Sequence, residues 1–289
     1  MGRQDYGKKI EQEMIDAVLA AIDSGDLPWT KPWTDGRGPP ILNTSVDGHR
    51  YRGINQLWLT IKAQMNGWMT PQWATYNAWK KRDIQVNKGE SGTKVVFVKH
   101  NFKEDEETGE TVWRGMSYKV WTIFNREQTN AEPLPQPEVI PEEEYIADIL
   151  QTYEDLGVRW QQGGNRAYYS KGTDSITLPV QEAFNTNADW ASTALHELAH
   201  WTGHNTRLDR LNMATWGDDR YAFEELVAET ASAWLCGIMG VPIEGLQHTE
   251  YLGIWGQRIK ADGATLRKAL AEAGKAVDYI LDGPPAKDD

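Results

Sequence analysis

The chain has 289 residues, of which 25% are charged and 40% hydrophobic, and carries a formal net charge of −12. That length accommodates two domains of ordinary size, while the single cysteine, Cys236, excludes an intramolecular disulfide framework and suits a reducing cytosol. No run of about 18 apolar residues occurs and the first residues contain no apolar signal core, so the sequence reads as a cytoplasmic protein with no membrane partner.

The charge is unevenly distributed. Residues 1–130 hold 18 basic and 16 acidic side chains, a balance of +2, whereas residues 131–289 hold 12 and 26, a balance of −14. Such asymmetry predicts two domains with different partners. Four prolines between positions 133 and 141 mark a stiff, extended linker over 131–141 that neither helix nor sheet accepts. The expected division is therefore 1–130, the linker 131–141, and 142–289, each half with its own core.

In chain order, the spacing predicts a helix over about 9–24 and then an aromatic, proline-containing segment with Trp29, Lys31 and Trp33. Arg50-Tyr51-Arg52 leads into a second helix through about residue 65 that includes Asn55. Next come Trp68 and the stretch 71–82, with Trp73, Trp79, Lys80 and Lys81. Residues 86–98, with Lys88 and Lys94, read as a turn into a strand, residues 104–109 as an acidic hairpin tip, and residues 116–125 as the strand pairing back. Eight of the fourteen tryptophans fall in the first 130 residues. Aromatic rings interleaved with Lys and Arg suit single-stranded nucleic acid, where bases stack on rings and cations track phosphates. The alternative is that most of these rings are core residues with a basic surface around them. No helix-turn-helix or zinc-finger pattern accompanies them, and the charge is too small for a tight duplex binder.

In the acidic half, residues 163–179 read as a strand hairpin whose edge could pair with an extended peptide. Residues 196–200 read His-Glu-Leu-Ala-His. On a helix, His196 and His200 share a face and can bind one metal ion, while Glu197 can reach water at that ion as a general base. Asp189 is the expected N-cap, and Gly203 the expected end of this helix. A catalytic zinc takes three protein ligands. A third histidine at the metzincin spacing would fall at position 206, which is Thr206, and His204 comes too early. The helix around 221–235 is the better source. Glu225 and Glu229 share a face there, so that one can bind the metal and the other hold a ligating histidine. Glu224 projects elsewhere and reads as a solvated acid, and Phe223, Val227, Trp234 and Ile238 form an apolar stripe. Cys236, in an apolar run, reads as core.

Taken together, these motifs resemble the ArdC-type antirestriction proteins of conjugative plasmids. The resemblance rests on Gly25 to Trp33, Tyr51 to Asn55, a tryptophan-rich helix, Lys88 to Val96, Phe124 to Gln128, and the motifs at 196–203 and 224–229. It implies an N-terminal domain that binds single-stranded DNA without sequence preference and a C-terminal zincin-like metallopeptidase domain, together protecting incoming plasmid DNA from host restriction. It also favours Glu225 as the third ligand. The expected fold is α+β, with a small mixed α/β single-strand-binding domain and a mostly helical zincin-like domain. The expected cofactor is one Zn2+ per chain, and the expected partners are single-stranded DNA and an unknown protein substrate. The rivals are a DNA-coating protein with a structural or idle metal site and a metal-dependent nuclease. The nuclease is disfavoured because this donor set suits one zinc and not a carboxylate-bridged pair of metals.

Overall fold

A computed structural model of the protein describes residues 2–23, 42–104, 111–135, 139–211, 219–242 and 263–284. Helix α1 (Arg3–Asp23) buries Ile10, Met14, Ile15 and Val18 on one face, at the spacing of an amphipathic helix. Strand β1 (Thr44–Ser45), helix α2 (Gly53–Asn66), strand β2 (Gln72–Thr75) and helix α3 (Tyr76–Lys80) follow. The ribbon of β3 (Thr93–Glu104) and β4 (Thr111–Asn125) comes next. These strands form one sheet in the order β1-β2-β4-β3, parallel only between β1 and β2. The hairpin expected from the sequence is therefore present, although its acidic tip, expected over 104–109, lies outside the described residues beyond Glu104. The stretch 71–82 is a strand followed by a short helix. Thr75 caps that helix by accepting from the Ala78 N–H at 3.2 Å.

Strand alternation gives this sheet two working faces. Val96 and Tyr118 point into the main core beside α1, while Val95, Ile123 and Trp73 form a second small cluster with Leu59 and Ala63 of α2. Helix α1 runs very close to β4: a Cβ at Gly7 would stand 2.3 Å from the Cβ of Tyr118, so no larger residue fits there.

The acidic half begins with α4 (Glu142–Asp155), then β5 (Arg159–Gln162), β6 (Tyr168–Ser170) and β7 (Ser175–Leu178). The sheet order is β5-β7-β6, antiparallel between β6 and β7 and parallel between β5 and β7. The β6–β7 hairpin matches the expectation for 163–179, and β5 adds a strand that periodicity over four polar-rich residues did not reveal. Helices α5 (Asn187–Thr202), α6 (Asp219–Met239) and α7 (Gly263–Asp282) complete the described chain. Helix α5 starts earlier than expected. Its N-cap is Thr186, whose hydroxyl accepts from the Asp189 N–H at 3.1 Å, so Asp189 lies in the first turn; Gly203 caps the other end.

Contrary to the expectation from charge and prolines, the two halves do not have separate cores. The larger hydrophobic cluster contains Ile10, Met14, Ile54, Leu57 and Ile61 together with Leu198, Trp234, Leu266, Leu270 and Val277. Helix α7 is the common element. Its apolar face packs against α6 on one side and α2 on the other. Residues 131–135 and 139–141 carry no helix or strand, as the prolines dictate, and 136–138 lie outside the described residues.

Candidate metal centre and nucleic-acid surface

Helices α5 and α6 lie against each other, pinned by the Ser232 hydroxyl donating to the Ser192 carbonyl at 2.8 Å. Tyr153 of α4 fixes α5 from another side, donating to the Ala194 carbonyl at 2.6 Å. This buries the middle of α5, leaving His196 8% and Glu197 7% exposed. The two histidines converge through one nitrogen each, with His196 Nε2 and His200 Nε2 3.1 Å apart. Glu225 of α6 closes the set, its Oε2 3.7 Å from His196 Nε2 and its Oε1 3.4 Å from His200 Nε2. Two imidazole nitrogens on one tetrahedral ion, each about 2.0–2.1 Å from it, would stand roughly 3.3 Å apart. The three donors therefore fit a single ion, and they form the one cluster of metal-ligating geometry found among the described residues.

The far nitrogens of both rings meet other carboxylates. Glu229 Oε1 lies 3.5 Å from His196 Nδ1, and Glu224 Oε1 lies 3.4 Å from His200 Nδ1. Glu224 is not the solvated acid expected from helix spacing; it is only 4% exposed. Arg210 donates to both its oxygens, from Nε at 3.1 Å and Nη2 at 3.0 Å, and also reaches the Thr202 hydroxyl and the Ala199 carbonyl. Burial opposes charge on His200, but Glu224, Glu225 and Glu197 more than offset it and raise its pKa to about 10. Burial would likewise raise Glu225, yet His200, His196 and Tyr221 bring it down to about 2. The pocket is thus built for positive charge.

The loop after α5 is fastened to the small sheet. Arg207 lies 3.8 Å over the Trp201 ring, donates to the Trp201 carbonyl, and pairs with Asp174 at the β6–β7 turn. His204 turns to Thr206 instead of the metal-ligating cluster. Cys236 is fully buried and its thiol is pushed up to about 12 by that burial, consistent with a core role.

The residues expected to touch nucleic acid divide sharply. Trp73 and Trp79 are fully buried, and their indole N–H groups donate to Asn43 Oδ1 and the Phe124 carbonyl, so neither ring is open to a base. Asn55 is also buried and clamps both backbone groups of Val96, at 2.8 and 2.9 Å. Tyr51 is partly buried, its hydroxyl pushed up to about 12 by desolvation. Arg50 and Arg52 turn towards α7, where Arg52 Nε lies 2.9 Å from Asp278 and Arg50 pairs with Asp282. Lys80, Lys81, Lys88 and Lys94 are exposed. Trp29, Lys31 and Trp33 lie outside the described residues. Sequence reasoning missed the rings that are exposed on the long ribbon, Phe97, Phe102, Trp113 and Trp121. The period-2 alternation of Val95 to Lys99 and Tyr118 to Trp121 was the available signal.

Two family models match successive parts of the chain. A family described as "Zincin-like metallopeptidase" matches residues 147–272, and one described as "N-terminal domain of anti-restriction factor ArdC" matches residues 8–125. The crystal structure of the antirestriction ArdC protein from plasmid R388, metal-free, superposes with a TM-score of 0.74 at 32% identity, covering 94% of this chain and 97% of that one. The chain belongs to the ArdC family. The Mn(II)-bound form of the R388 ArdC protein matches at a TM-score of 0.73, 30% identity, 96% of this chain and 98% of that one. Among other relatives, the DNA primase TraC of Escherichia coli is 33% identical over 95% of this chain, which spans only 27% of that primase. An uncharacterized protein, y4eC, of Sinorhizobium fredii is 30% identical over 94% of this chain and 91% of its own length. In this ArdC-family chain the His-Glu-Leu-Ala-His helix falls within the zincin-like match, and the β3–β4 ribbon reaches the end of the ArdC N-terminal match. Among the described residues no helix is long and apolar enough to cross a membrane.

Proposed function

We propose that the protein protects incoming conjugative DNA from host restriction in the bacterial cytoplasm, binding it as a single strand and carrying a zinc peptidase site. The observation that carries the peptidase reading is the convergence of His196 Nε2, His200 Nε2 and Glu225 within single-ion distance. His196, His200 and Glu225 would hold the ion, with Glu229 and Glu224 fixing the two rings from behind. When bound, zinc supplies Lewis-acid polarisation of a carbonyl and lowers the pKa of water to about 7. Glu197, one residue after His196 and nearly buried, takes the proton from the attacking water and returns it to the leaving amine. Among the described strands β6 pairs only with β7, which supports an extended peptide lying along its other edge.

The test is a mass-spectrometric search for cleaved host proteins, with and without single-stranded DNA, comparing wild type with Glu197→Gln. Fragments that disappear in Glu197→Gln support the peptidase. Identical fragment sets would leave a DNA-coating protein with an idle metal site.

A further inference from the structure

The single-strand reading above leaves open where the strand lies, since the buried Trp73, Trp79 and Asn55 cannot meet it. We propose that it lies across one exposed face of the β3–β4 ribbon, bases stacking on Phe97 and Trp121 and phosphates held by Lys99 and Lys119. This rests on the single-strand reading and names its surface.

The face follows from register. Val95 stands opposite Trp121, Phe97 opposite Lys119, and Lys99 opposite Ser117, so all six side chains share one side of the ribbon. The rings of Phe97 and Trp121 are diagonal neighbours, and so are the ammonium groups of Lys99 and Lys119, at a spacing of about 7–8 Å between diagonal positions. Rings and cations therefore alternate across the sheet, the arrangement in which bases stack while cations follow the backbone.

Packing explains why this face is open. Helix α2 covers the sheet only as far as Val95 and Ile123, which are buried with Leu59 and Trp73. Past that point Phe97 is 48% and Trp121 49% exposed, while the reverse side, with Val96, Val98, Tyr118 and Val120, packs into the main core. Charge selects the occupant. Positions 93, 95, 97, 99 and 101 and their partners 115, 117, 119, 121 and 123 include no carboxylate, in a chain whose net charge is −12. A carboxylate-free, lysine-bearing aromatic face is complementary to a polyanion with exposed rings. Beyond the irregularity at Asn101/Phe102, the alternation carries Phe102 and its partner Trp113 to the opposite side, which supplies an internal control.

The experiment measures binding of the full-length chain to a fluorescently labelled oligo(dT) by anisotropy over a range of salt. Phe97→Ala and Trp121→Ala should each weaken binding roughly fivefold or more, because each removes one stacking platform. Lys99→Gln and Lys119→Gln should each flatten the dependence of log affinity on log salt by about 0.7. Trp113→Ala, equally exposed but on the other side, should bind within twofold of wild type. Thermal unfolding of each variant separates lost binding from lost folding. Wild-type binding with a Phe97→Ala/Trp121→Ala double variant that binds equally well would overturn the site while leaving the single-strand reading intact. Failure of wild type itself to bind would overturn both.

Discussion

Arg210 donates to both carboxylate oxygens of Glu224, and both side chains are about 95% buried, so the ion pair sits behind His200 almost out of contact with water. A buried pair of this kind is weakly informative about stability while intact, but removing one partner strands a charge. Arg210→Met should cost about 3–5 kcal/mol of unfolding free energy. Glu224→Gln in the same chain should recover much of that, which thermal or denaturant unfolding of the two variants will show. Where the variants fold, metal titration should show affinity weakened about 10- to 100-fold, because His200 loses the group that orients it.

Trp73 is a second place where burial decides the outcome. Its ring is fully enclosed against Leu59, Ala63 and Ile123, meets Trp68 edge-on, and donates to Asn43. Trp73→Ala should cost about 3–5 kcal/mol, as large-to-small core changes do. The milder Trp73→Phe should lower the unfolding temperature while leaving oligo(dT) affinity nearly unchanged in the folded fraction, as anisotropy would show.

The shared core predicts coupled unfolding. Gly53 begins α2 with φ +57 in the left-handed region, facing the Ala271 backbone of α7 at 3.9 Å from a notional Cβ. Gly53→Ala should cost about 1 kcal/mol or more from backbone strain. The loss should appear as a shift of one transition reported equally by both halves. Two separated transitions would mean that α7 does not join them energetically.

Asp174 supplies a pH dependence. Hydrogen bonds from Arg207 lower its pKa against the opposing effect of partial burial, so the folded state favours the carboxylate. A depressed folded pKa contributes stability above the unfolded value, lost as pH falls through the folded value. Asp174→Asn should therefore cost about 1–3 kcal/mol near neutral pH. The gap from wild type should close as pH drops below the ordinary carboxylate range. Asn is the appropriate replacement because it tolerates the φ of +48 at this position. Denaturant unfolding at several pH values measures the convergence.

Elements whose information is local are legible in the amino-acid order. His196, Glu197 and His200 declare a shared helical face by spacing alone, and the ribbon declares itself through β-rich alternation. Long-range partnership is not legible in the same way. Glu224 reads as solvated on its own helix, yet it is buried between His200 of α5 and Arg210, fourteen residues earlier in the chain. Trp73 and Trp79 look identical in composition to stacking residues; only the sheet behind them makes them core. The prolines at 133–141 imply independence of the halves, and the apolar face of α7, more than a hundred residues later, removes it.

In the proposed site His196, His200 and Glu225 hold the metal while Glu197 serves as base, and metal content per chain separates these roles. Zinc should be quantified in the wild type, His196→Ala, Glu225→Gln, Glu229→Gln and Glu197→Gln proteins after equal dialysis. Near-complete loss is expected in His196→Ala and Glu225→Gln, a weakened but measurable site in Glu229→Gln, and full occupancy in Glu197→Gln. Zinc near one per chain in Glu225→Gln, or a Glu197→Gln protein as empty as His196→Ala, would contradict it.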